Sequence, residues 1–212
     1  METQLVNPPR RGRPPKSRED LGETRDLLLR AGLEVLTEKG FSATGIDEIL
    51  RRVSVPKGSF YHYFDSKEAF GAELIAHYAG FFARKIDHYL GDQTLSPLAR
   101  LRAFVAGAQV GMARHDFRRG CLIGNLGQEM GTLPESFRRQ LQAVFADWQA
   151  RFARCLVAAQ ECGELSKQAD CEQLAAFFWI GWEGAVLRAK LEQSAEPLEI
   201  FGKVFFAGLP PG

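Results

Sequence analysis

Apolar residues recur along this chain at three- and four-residue intervals, in blocks parted by short polar, glycine or proline stretches. Such spacing lays an apolar stripe along one side of a helix. It predicts helices over residues 21–39, 45–53, 66–90, 98–113, 133–161 and 170–193, with a last one from Pro197 to just before Gly208. The boundaries carry their own chemistry. Gly40, followed by the apolar Phe41, can stop the first helix. Ser66 and Asp170 are suited to cap helix N-termini, and Pro134 and Pro197 to start helices. Residues 118–129 hold Gly120, Gly124 and Gly127, so an irregular stretch or a short helix with close backbone contacts is expected there.

The pattern is densest between residues 44 and 68. Thr44 can cap the second helix, with Asp47 at its third position. Ile46, Ile49, Leu50 and Val53 make that helix's apolar stripe, Ser54 and Val55 make a turn, and Pro56 can open a further short helix. The order is helix, tight turn, helix. Phe60 and Phe64 are four apart and face inward; Ser59, Tyr61, His62 and Tyr63 are left outside. Gly58 permits close backbone approach. An amphipathic hairpin would explain the phenylalanines but not the outward tyrosines. Seated in the major groove, Ser59, Tyr61 and His62 would read bases, while Thr44, Lys57, Tyr63 and Lys67 would hold phosphates.

Residues 41–70, FSATGIDEILRRVSVPKGSFYHYFDSKEAF, resemble the DNA-binding domain of the TetR family, and GSFYHYF-x-SKE is close to that family's most recognisable run. The resemblance implies an all-α protein. A three-helix head over residues 19–67 would sit on a larger helical body, 68–212, that dimerises and holds an effector pocket. It also implies a repressor that leaves its operator when a small molecule binds.

Net charge is only +1, yet residues 1–18 carry five basic residues against the single Glu2, with prolines at 8, 9, 14 and 15. They read as a disordered basic arm. Its Arg11-Gly12-Arg13-Pro14 run resembles minor-groove AT-hook peptides, so Arg11 and Arg13 join the candidate DNA contacts. A solvated tail is the alternative. The scattered apolar residues near the N-terminus do not read as a secretory signal, and the apolar run at 174–187 is too short to span a bilayer. A cytoplasmic protein with four reduced cysteines is expected. Cys155 and Cys162, seven apart on one helix, cannot bridge. No spacing supports a metal, and no cofactor is expected.

In the body, Phe177, Gly181, Gly184, Ala185 and Arg188 fall near one stripe of the 170–193 helix, a candidate dimer surface; internal core is the alternative. The helix over 66–90 would link pocket to head. Local runs in the body, RRGCLIGNLGQEM and FWIGWEGAVLRAKLE, resemble an acrylate-responsive member of the family. A weaker likeness is to a member that senses electrophiles through a cysteine, and it implies Cys121 and Lys190 as a sensing pair. From the residues alone, Arg118 and Arg119 would lower the Cys121 thiol pKa and favour thiolate. A small buried hydrophobe is the other reading. Lys190 could pair with a carboxylate or with Cys121, or snorkel to solvent. Tyr78, Asn125, Gln128, Trp179, Trp182 and Glu183 complete the candidate pocket wall. A cysteine enzyme would need a paired base and oxyanion donors that no motif supplies. A purely architectural DNA protein would not need so large a body.

Overall fold

A computed structural model describes residues 18–212, with side chains from Gly22 onward. Residues 1–17 of the expected arm, with Arg11 and Arg13, lie outside the described residues, and Arg18 already belongs to the first helix. Those described form nine helices and no strand. None of the helices is long and apolar enough to cross a membrane.

The head comprises α1 (Arg18–Lys39), α2 (Ile46–Arg52) and α3 (Lys57–Phe60). Gly40 ends α1 at φ +86°, a left-handed conformation that favours glycine. Ser54, also at positive φ, makes the turn after α2. Two local expectations change. Thr44 does not cap α2: Gly45 takes that position, and the buried Thr44 hydroxyl donates to the Gly40 carbonyl at 2.6 Å. Pro56 sits at the N-cap of α3, which runs only four residues before a turn. The inward Phe60 and Phe64 meet Phe70 at ring distances of 5.3 and 4.7 Å. They anchor α3 to α4 (Lys67–Leu90), whose first free N–H groups are capped by Ser66, accepting from the Ala69 amide at 2.9 Å.

The body adds α5 (Pro97–Ala113), α6 (Leu122–Gln128), α7 (Glu135–Glu161), α8 (Cys171–Glu192) and α9 (Glu196–Ala207). Asp170 caps α8 by accepting from the Gln173 amide. The centre is aromatic. Trp148 and Trp179 rings lie 4.9 Å apart, and Phe152 and Phe178 4.6 Å apart, with Phe104 and Trp182 against them. Each ring removes a large apolar area from water, on the order of 150–250 Å².

Head and body share this core without a gap. Gly71, early in α4, shows how. A Cβ there would come within 2.5 Å of the Phe41 ring and 2.6 Å of the Phe137 ring. Its absence lets Phe41 of the head and Phe137 of α7 meet edge to face at 5.3 Å.

Candidate DNA-reading helix and effector cleft

α3 presents its polar side outward. Tyr61 is 56% exposed, Lys57, Gly58 and His62 are exposed, and Ser59 and Tyr63 are half-buried. Lys57 pairs on the surface with Asp47 at 2.9 Å, a contact that solvent weakens and a phosphate could displace. Two expected phosphate ligands are not free. Thr44 is 1% exposed and bonded internally. Lys67 is half-buried, with Nζ donating to the Phe41 carbonyl at 2.9 Å and lying 4.5 Å above the Phe41 ring. Both residues brace the head where they had been expected to face DNA.

Behind the head a cleft of about 320 Å³ opens between α4, the end of α5, the segment before α6, and α8. Tyr78 and Phe82 of α4 and Trp182 of α8 supply aromatic wall. Lys85, Arg114, His115 and Arg119 supply positive or ionisable groups. Burial, with Arg114 nearby, lowers the Lys85 pKa. A small anion entering there would relieve that repulsion. Cys121 and Glu183 also line the cleft.

Cys121 is the N-cap of α6 and is buried. Glu183 and Tyr78 line the cleft with it. The expected thiolate is overturned. Burial, then the Glu183 charge, pushes the thiol pKa well up. The two arginines do not offset this: Arg118 is exposed, and Arg119 pairs with Glu34 and Glu38 of α1. Burial raises Glu183 to about 7 and also raises Tyr78 well above the ordinary tyrosine range. Glu183 Oε1 is shielded from solvent with no hydrogen-bond partner, as is Trp179 Nε1. Gly124 makes room for this carboxyl group, because a side chain there would collide with it.

Lys190 does not pair with Cys121. Its stem passes Gly120 at 3.5 Å from where a Cβ would stand, but Nζ donates to the Thr37 and Glu38 carbonyls at 3.0 and 2.9 Å. Asn125 Nδ2 joins it on the Thr37 carbonyl at 3.0 Å, and the Gly120 amide at 3.4 Å. These groups hold the last turn of α1, where unsatisfied carbonyls carry partial negative charge. At the far end of α6, the Glu129 carboxylate accepts from the Phe41 and Ser42 amides at 2.8 and 2.7 Å. So the helix that Cys121 begins is fastened to the head at both ends.

Other expected wall residues separate. Trp179 lies in the aromatic core, Gln128 is exposed, and Asn125 serves the α1 contact. Lys85, Arg114 and His115 were missed, because nothing in their local sequence brings α4 beside the end of α5. On α8, Phe177, Gly184 and Arg188 face solvent, Gly181 is covered by Phe201, and Ala185 is buried. The exposed apolar row is instead Phe177, Ile180, Leu187 and Leu191, flanked on α9 by Ile200 and Val204. Among the described residues no group of three or more His, Cys, Asp or Glu could hold a metal.

Residues 28–74 match the profile described as bacterial regulatory proteins, tetR family, and residues 97–205 match the tetracyclin repressor-like C-terminal domain. The chain is 56% identical to the transcriptional regulator AcuR of Cereibacter sphaeroides, over 93% of this chain and 90% of that protein. It is 31% identical to the HTH-type transcriptional repressor NemR of Escherichia coli, over 84% and 89% respectively. The crystal structure of regulatory protein TetR from Rhodobacter sphaeroides superposes with a TM-score of 0.85 at 56% identity, covering 87% of this chain and 97% of that one.

Proposed function

Because this chain belongs to the TetR family of bacterial transcriptional regulators, we propose that a small α,β-unsaturated acid or related soft electrophile enters the cleft beside Cys121 and releases a homodimer from operator DNA. Residues 19–67 act as the head and 68–212 as the effector-binding and dimerising body, in the cytoplasm where the operator is. Ser59, Tyr61 and His62 take the base edges. Lys57 and Tyr63 take phosphates, and the arm at residues 1–18 follows the minor groove through Arg11 and Arg13. The row from Phe177 to Leu191, with Gly184 and Arg188 beside it, faces a second copy.

The observation that carries the effector reading is the cleft's composition. A polar floor of Tyr78, Cys121 and Glu183 lies inside a rim with Lys85, Arg114 and His115. The rim suits a carboxylate, and the floor places a thiol within the same space. An effector releases DNA only by favouring the state that cannot bind it. Filling this cleft strains α6 against α8, whose Asn125 and Lys190 grip α1.

A mobility-shift titration on DNA upstream of the protein's own coding region, with acrylate added, tests the reading. Lys85→Ala should bind that DNA as well as the parent and require about tenfold more acrylate for release, the loss of one charge-assisted contact. Release at an unchanged acrylate concentration would place the anion elsewhere.

A further inference from the structure

We infer that Glu183 is the proton acceptor for Cys121, making the buried thiol reactive toward an activated alkene only when that alkene occupies the cleft. The inference deepens the effector reading above and rests on it. Three observations converge. Cys121 and Glu183 line one cleft and flank Gly124 together, where a Cβ would stand 3.8 Å from the Cys121 Cβ and against the Glu183 carboxyl group. Glu183 Oε1 is buried and unpartnered, an uncommon state for a carboxylate oxygen. Gly124 keeps the space that this carboxyl group needs.

The chemistry follows from the environment. A thiol made reactive by standing positive charge would be thiolate at rest and open to any oxidant. This thiol is neutral at rest, since burial and Glu183 both hold its proton on. Addition therefore needs the proton removed as the bond forms. The Glu183 carboxylate takes the thiol proton while a sulfur electron pair forms the C–S bond at the β-carbon. The π pair shifts toward the carbonyl as an enolate. Glu183 then returns the proton to the α-carbon. Sulfur and hydrogen are added across the double bond, with no external oxidant or reductant. A base poised near neutrality is suited to this, and burial places Glu183 there. Tyr78 lines the same cleft and can steady sulfur as its proton leaves.

Other ionisable groups face the same cleft: Tyr78 and Lys85 from α4, Arg114 and His115 from the end of α5, and Arg119 before Cys121. The test therefore follows one site. Full-length protein is treated with acrylamide, a neutral alkene that does not need the cationic rim, and the Cys121 peptide is followed by mass spectrometry across pH. Exposed Cys162 serves as the internal reference. The Cys121 rate should rise with pH and level off above about 7, and His115→Asn should keep that profile. Glu183→Gln should slow Cys121 by a factor of at least about 10² and leave Cys162 unchanged. Circular dichroism should show the helical content of the variant unchanged, so that slowing of Cys121 beside an unchanged Cys162 reports the lost base. An equal Cys121 rate in Glu183→Gln, or a wild-type rate that keeps climbing without levelling, would overturn the proposal. Acrylate release of DNA with no Cys121 adduct would also overturn it, while leaving the reversible effector cleft standing. Neither adduct nor release would remove both.

Discussion

A carboxyl group buried beside a thiol alters the proton balance of folding itself. Glu183 titrates at about 7 in the fold against an ordinary 4.5. Below the lower value both folded and unfolded chains hold the proton. Between the two values the unfolded chain releases it and the folded chain does not, so stability falls as pH rises, and above about 7 the full cost is present. Glu183→Gln should therefore gain stability relative to the parent as pH rises from about 4 to about 8, by on the order of 1–3 kcal/mol, in thermal melts at matched ionic strength. A gap that stays constant with pH would mean that Glu183 does not titrate there. At the same scale, the two lysines expected to hold phosphate part company. Lys57→Ala should weaken all DNA sequences alike and reduce the salt slope by about one unit, whereas Lys67→Ala should chiefly lower the melting temperature. Binding titrations at several salt concentrations separate the two. Lys57 and Lys67 flank the reading helix alike in sequence. What parts them is the Phe41 carbonyl and ring, supplied by a residue 26 positions before Lys67. Cys121 teaches the same lesson: its chain neighbours are arginines, but its neighbours in space are Glu183 and Tyr78.

The helices themselves were legible because their signals are local. Ser66 and Asp170 cap the helices that their spacing predicts. Apolar intervals place Leu28, Leu29, Val35 and Leu36 of α1 in the core. The partner of each helix end was not legible, since it comes from elsewhere in the chain. The C-terminus of α1 is held by Lys190, more than 150 residues away in sequence. Lys190→Met keeps the stem and removes the charge. It should cost on the order of 0.5–2 kcal/mol of stability, the range for a cation at a helix C-terminus. It should also reduce the effector-induced change in DNA affinity, because one of the two grips that α8 and α6 have on α1 is gone. Chemical denaturation measures the first and operator titration with saturating acrylate the second. A stability loss with undiminished effector response would make the contact purely structural.

For the molecule as a whole, α8 is apolar on more sides than one chain can cover. Trp179 and Trp182 face the core, while Ile180 and Leu191 remain 73% and 74% exposed. An apolar row of this kind marks an association surface. Ile180→Glu should leave the helical content unchanged, shift the protein to monomer in sedimentation, and lower operator affinity at least about a hundredfold, because two half-sites would no longer be gripped together. A dimer that persists would move the interface off this row. The spacing along α8 placed Gly181 and Ala185 on the candidate dimer stripe with Phe177, Gly184 and Arg188, and the structure turns those two inward against Phe201 and the core. The cleft adds one more consequence. Its cationic rim is Lys85 of α4 with Arg114 and His115 at the end of α5, while the bonds to the C-terminal turn of α1 come from Asn125 of α6, Lys190 of α8, the Gly120 amide and Arg119. The three rim side chains therefore stand apart from the bonds that hold the end of α1. A library restricted to Lys85, Arg114 and His115 could retune this protein to report a new compound while its switch stays as it is.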